Sequence, residues 1–136
     1  MVDLTKLKKL NIELDKITLE PNKEIVEYMV DGGKCIGFNL LHNLDISIQK
    51  AFMPKGTDFP RHSHRATEWL LQISGEAELT IYSNGDIEDI VSMKPGSMCE
   101  IPEGKGHSYK VLSNSWLIGI TMPGIKAYPG GYIGDE

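Results

Sequence analysis

Two of the four histidines in this 136-residue chain stand together as His62-Ser63-His64. On an extended segment, residues i and i+2 point to the same side, so both imidazoles can enter one cavity. Glu68 follows where the chain must leave one strand and begin the next, and its carboxylate can return towards the same space. His107 comes much later, behind a turn containing Pro102 and Gly104, at the start of a strand that the neighbours in a barrel can bring alongside. Three imidazoles and one carboxylate are a donor set suited to one divalent transition metal ion. That set does not choose among Fe, Mn, Ni, Co, Cu and Zn. A His-x-His pair alone also occurs in surface loops, so the residues around these four decide the reading. His42, in a turn with Asn43, has no such company and reads as a surface residue.

The elements that must position these groups are mostly strands. Leu4, Leu7, Leu10 and Leu14 recur at spacings of three and four, which predicts a short amphipathic helix near the start. Pro21-Asn22 ends that pattern. Short apolar runs bounded by turn residues then predict strands over residues 25–30, 35–41, 44–53, 69–74, 77–83, 86–93, 98–101, 107–112 and 116–122. In residues 44–53, Leu44, Ile46 and Ile48 alternate with Asp45, Ser47 and Gln49, the signature of a strand with one buried face. Asn84-Gly85 predicts a two-residue hairpin, because both turn positions favour positive φ. About nine short strands joined by tight turns describe an all-β sandwich or barrel. The division is an N-terminal helical segment over 1–22, a β domain over 23–122 and an irregular tail over 123–136.

With these residues in place, the chain resembles the cupin family. The first cupin motif runs Gly, His-x-His, Glu, Gly, and Gly56, His62, His64, Glu68 and Gly75 hold its spacing. The second runs Gly, Pro, Gly, His, and Gly96, Pro102, Gly104 and His107 hold that spacing too. The segment between them, 76–95, contains the hairpin that the family requires. The second motif usually closes with Asn, where this chain has Val111. That Asn is not a metal ligand in the family, so the departure touches local packing at that strand and not the ligands. The resemblance implies a jelly-roll-like cupin β-barrel with His62, His64, Glu68 and His107 as the metal ligands. It also implies a homodimer, with the N-terminal helix and first strand as natural contact elements.

The glycines fall at turns, where positive φ costs little only for Gly, and Pro102 locks its own φ before the last ligand. Rigid turns of this kind preform a site. By strand alternation Gln72 shares a face with Glu68 and Leu70, and Tyr109 shares one with His107. Gln72 and Tyr109 are therefore the polar candidates nearest the metal and the candidates for catalysis; the alternative places them on an outer or subunit face. Arg61 and Arg65 flank the His-x-His, either exposed or greeting an anion at the mouth. Trp69, Trp116 and Tyr82 read as core or interface aromatics, and Met53, Met93, Met98 and Met122 as core filler.

Three neutral imidazoles and a carboxylate would reduce a divalent charge to about +1 and attract oxygen donors. With six ligands, two positions would stay open for substrate. This suits a small metalloenzyme of oxygenase, isomerase or decarboxylase type acting on a small oxygenated molecule. The alternative is a non-catalytic ligand-binding or sensor module that acts through a partner protein. A purely structural metal site fits less well, since such sites are closed and often Cys-rich, and neither cysteine adjoins the ligands.

The formal net charge of −5 leaves no basic stripe for nucleic acid; Lys6, Lys8 and Lys9 are diluted by Asp3, Glu13 and Asp15. No apolar run is long enough to span a membrane, and the first residues lack the apolar core of a signal peptide. Cys35 and Cys99, far apart and without a Cys-x-x-Cys spacing, read as buried reduced thiols in a cytoplasmic protein.

Overall fold

The computed structural model describes residues 25–30 and 33–125. The helix expected near the start, the side chain of His42 and the tail from 126 onward lie outside them. The described chain is all-β, with ten strands: β1 (Ile25–Val30), β2 (Gly33–His42), β3 (Ser47–Met53), β4 (Asp58–His62), β5 (Thr67–Ser74), β6 (Ala77–Ser83), β7 (Asp86–Met93), β8 (Met98–Ile101), β9 (Gly106–Val111) and β10 (Ser115–Met122). They form two antiparallel sheets, ordered β1-β2-β3-β10-β5-β8 and β4-β9-β6-β7.

Between the sheets lies an apolar core that draws Cys35, Ala51, Met53, Leu70 and Leu117 from the larger sheet. Phe59, Ala77, Leu79, Ile81, Met93, Tyr109 and Val111 come from the smaller one. Val111, where the second motif usually has Asn, is an apolar core residue here. Register then fixes which polar groups enter the same space. Ser47, Thr121 and Glu68 stand in one cross-strand row of the larger sheet, and Gln49, Gly119 and Leu70 in the next.

The turns behave as their residues dictate. Asn84 and Gly85 both have positive φ, and β7 returns from Ser83↔Asp86 with one register shift, between Ile81 and Tyr82. Gly75 has φ of +77°, and a Cβ there would come within 2.2 Å of the Asn114 carbonyl oxygen. No other residue fits that turn.

Three expectations change. β4 was not separable from the loop before the histidines: Phe59 is its one buried residue, and Pro60 is tolerated because β4 is an edge strand. The strand expected from Leu44 begins at Ser47. The Asn43 side chain accepts hydrogen bonds from the Asp45 and Ile46 amides, 2.9 and 3.0 Å, and winds 43–46 into a turn that leaves Leu44 65% exposed. Ser47 is buried, hydrogen-bonded to Thr121, because β3 is covered on both faces. Met53 and Met93 fill the core as expected, but Met98, on edge strand β8, is exposed.

Candidate metal centre

Four elements converge at one end of the space between the sheets. His62 closes β4, His64 follows in the connection to β5, Glu68 is the second residue of β5, and His107 is the second residue of β9. Pairing of β4 with β9 sets His62 opposite His107, so two of the rings owe their proximity to the ladder itself. Their centroids lie 4.2 Å apart, with the His64 ring 4.8 Å from His62 and 5.2 Å from His107. One nitrogen from each of the three falls within 4.8 Å of the others. Two donors on a single ion at about 2.1 Å stand roughly 3 to 4 Å apart, so small ring rotations would close this set. Glu68 Oε1 is 3.1 Å from His107 Nε2 and 4.0 Å from His64 Nε2.

The ring orientations are fixed from behind. His62 Nδ1 lies 2.7 Å from the Pro60 carbonyl oxygen, and His107 Nδ1 lies 3.2 Å from that of Lys105. A carbonyl oxygen only accepts, so each Nδ1 must carry the proton, and each neutral ring then offers the lone pair of Nε2 to the interior. His107 Nε2 is buried and has no aligned hydrogen-bond partner, an orphaned acceptor of the kind a metal would satisfy. Phe59 packs 5.0 Å from the His62 ring and braces it.

The electrostatics keep the donors in their ligating forms. Burial pushes the His62 imidazole down to about 4, helped by the charge His107 would carry. Burial lowers His64 as well, against the pull of Glu68. For Glu68 burial alone would raise the carboxyl, but the nearness of His107 at 3.1 Å, with His64 and His62, outweighs it and holds the group below its ordinary value. Near neutral pH the cluster is two neutral imidazoles of depressed basicity and one carboxylate around His107.

Gln72 and Tyr109 do lie on the inner wall, in the same strands as Glu68 and His107, but they serve each other. The Tyr109 hydroxyl donates to Gln72 Oε1, and Gln72 Nε2 donates to the Ser74 carbonyl oxygen at 2.9 Å. Both are almost fully buried, at 1% and 4% exposure, and burial raises the Tyr109 phenol above its ordinary value. Arg61 is exposed and stacks 4.2 Å from the Tyr82 ring, where Gly106 leaves it room; Tyr82 in turn bonds Ser108 at 3.1 Å. Trp116 sits on the outer face of the larger sheet with Phe38, Phe52 and Lys50. Both cysteines are free thiols, Cys35 buried and Cys99 partly so. Among the described residues no helix is long and apolar enough to cross a membrane.

The Pro60 and Lys105 carbonyls escaped the sequence reading, because a backbone oxygen carries no residue signature. Phe59 escaped it as part of the unseen β4. Gly119, inside an otherwise apolar strand, was a visible signal: a Cβ there would lie 3.6 Å from Glu68 Oε2.

No curated protein matches the chain. Among solved structures, KdgF from Halomonas sp. is similar with a TM-score of 0.62 at 17% identity, over 72% of this chain and 87% of that one. An RmlC-like cupin from Shewanella frigidimarina gives 0.62 at 20% identity, over 74% and 86%. Oxalate decarboxylase from Bacillus subtilis, described with Mn(II) centres, gives 0.66 at 18% identity, over 82% of this chain but 31% of that larger one. These likenesses establish the fold. The family model described as "Cupin domain" matches residues 50–118, just over half of the chain and the stretch that carries all four converging side chains, and the protein belongs to the cupin family.

Proposed function

We propose that the protein binds one divalent transition metal ion through His62, His64, Glu68 and His107 and acts as a small metal-dependent enzyme of oxygenase, isomerase or decarboxylase type. The observation that carries this reading is the orientation of His62 and His107, each with Nδ1 given to a backbone carbonyl and Nε2 left for the interior. A bound ion would supply Lewis acidity, polarising an oxygen group of a small substrate. The chain's own residues do the rest. The two carbonyls hold the rings, the charge of Glu68 keeps the local balance positive by about one, and the apolar core beneath excludes water from the floor.

The test is metal analysis of purified protein, before and after incubation with Fe, Mn, Co, Ni, Cu and Zn. One ion per chain is expected, lost in His62→Ala and Glu68→Gln without loss of fold. Protein that neither contains nor takes up metal would overturn the reading.

One observation favours a second reading, a ligand-binding or sensor cupin. Tyr109, a buried candidate for catalysis, keeps its proton and donates it in a hydrogen bond to Gln72. Screening small carbonyl and carboxylate compounds by thermal shift and then by product analysis separates the two, since binding without product supports the sensor. For either reading we take the working form to be a cytoplasmic homodimer. Support for pairing comes from the partly buried outer face around Phe38, Phe52 and Trp116, and light scattering tests it.

A further inference from the structure

Gly119 lies in the middle of β10, a strand interior to the larger sheet, paired to Gln49 on one side and Leu70 on the other. A glycine weakens a strand there and marks a bulge, a special backbone angle or a close approach of something else. The ordinary structural reasons do not apply. Its φ is not among the positive values of this chain. The irregularity in β10 falls between Trp116 and Leu117, away from it. No neighbouring backbone presses on it, since a Cβ would meet only Glu68 Oε2 and Leu70 Cδ2, each at an ordinary 3.6 Å. What remains is its place: a side chain at 119 would project onto the Glu68 carboxylate, its Cβ 3.6 Å from Oε2. Gly119 is partly exposed, although Leu117 and Thr121, on the same face of the same strand, are buried.

Gln49 is the residue of β3 paired with Gly119. Its Nε2 donates to the Ile125 carbonyl oxygen at 3.3 Å, and the Ile125 amide donates to Ser47 Oγ at 3.2 Å, so the amide side chain is tethered by its nitrogen. Its carbonyl oxygen is then the acceptor left for a ligand hydroxyl. We propose that Gly119 opens a pocket beside the metal centre, over which the body of an oxygen-donor ligand lies, and that Gln49 selects a ligand carrying a hydroxyl: a small hydroxy-carboxylate or hydroxy-carbonyl compound. This rests on the metal-binding reading above and assigns the specificity of that same site.

The experiment uses the full chain loaded with Co(II), whose visible spectrum reports on its ligands. Propionate and 3-hydroxypropionate, which differ by one hydroxyl, are titrated into wild type, Gly119→Val, Gly119→Ala and Gln49→Leu, with cobalt stoichiometry measured for each. Wild type is expected to bind 3-hydroxypropionate several-fold to about tenfold more tightly, the range of one hydrogen bond. Gly119→Val should keep its cobalt and lose at least about tenfold for both ligands through steric filling. Gly119→Ala, whose methyl group meets nothing closer than 3.6 Å, folds in any case and should show a smaller loss in the same direction. Gln49→Leu should bind the two ligands equally. Cobalt-loaded wild type blind to both carboxylates, or unchanged affinities in both Gly119 variants, would overturn the pocket while the metal reading stands. Absence of cobalt from wild type would instead overturn the metal reading, and the pocket with it.

Discussion

His107 Nε2 and Glu68 Oε1 face each other at 3.1 Å from opposite sheets, without the alignment of a hydrogen bond. A base and an acceptor held this close and out of line are arranged around a point between them more than for each other. Removing the carboxylate should therefore be felt mainly in metal affinity. Loss of a group that merely orients a ligand weakens metal binding by about 10- to 100-fold, so Glu68→Gln, which replaces a proposed donor itself, should exceed about 100-fold. Competition against a chelating dye measures it, and circular dichroism should show the β signature retained.

Stability of the metal-free protein should depend on pH in a stated window. An unfolded imidazole titrates near 6.5, whereas folded His62 titrates at about 4 and His64 also below its ordinary value. Between those limits the unfolded chain binds more protons, so stability falls as pH drops from 6.5 towards 4 and is indifferent to these groups above 6.5. Glu68, with its value lowered, acts in the same sense: its contribution is complete above the ordinary carboxyl range and is lost as pH falls through its folded value. Each imidazole adds at most about 1.4 kcal/mol per pH unit. Urea midpoints at pH 7.5, 6 and 5 on chelator-treated protein check this; a flat profile would contradict it.

Gly75 and Gly96 separate two costs that share one backbone angle. Both have positive φ, +77° and +89°, but a Cβ at Gly96 meets nothing within 4 Å, while one at Gly75 collides with the Asn114 oxygen at 2.2 Å. Gly96→Ala should lose about 1 to 2 kcal/mol for the left-handed conformation alone. Gly75→Ala should lose clearly more or fail to fold. Denaturation curves of the two variants under one set of conditions give the comparison.

The two thiols should differ in reactivity. Burial raises the Cys35 thiol, and burial with the charges of Asp89 and Glu100 raises Cys99. Thiolate is the reacting form, so both should lag behind a free cysteine at pH 7.5. Titration with a disulfide reagent should find one slow group, Cys99, and a second that appears only with denaturant. Two fast equivalents in native protein would refute the assignment of both to the interior.

Much of this was legible in the residues. Motif spacing gave the four converging side chains, and apolar runs between Gly and Pro gave nine of the strands. What escaped has physical causes. β4 carries a proline and a single inward apolar residue, too little for a period of two to register. Leu44 looked like the start of β3 because alternation cannot see a side chain such as Asn43 hydrogen-bonding its own backbone. Gln72 and Tyr109 were placed on the correct wall, but their bond to each other depends on two strands from different sheets.

Trp69 follows Glu68 in β5 and is 1% exposed, packed with Ile46 and Ile48 on the reverse side of the sheet from the histidines. Because strand side chains alternate, sliding β5 by a single position would turn an indole into the barrel and a carboxylate into grease. The apolar patch behind the sheet thus acts as a ratchet on alignment. A substitution there, on the opposite face from the donor atoms, would loosen the aim of the carboxylate.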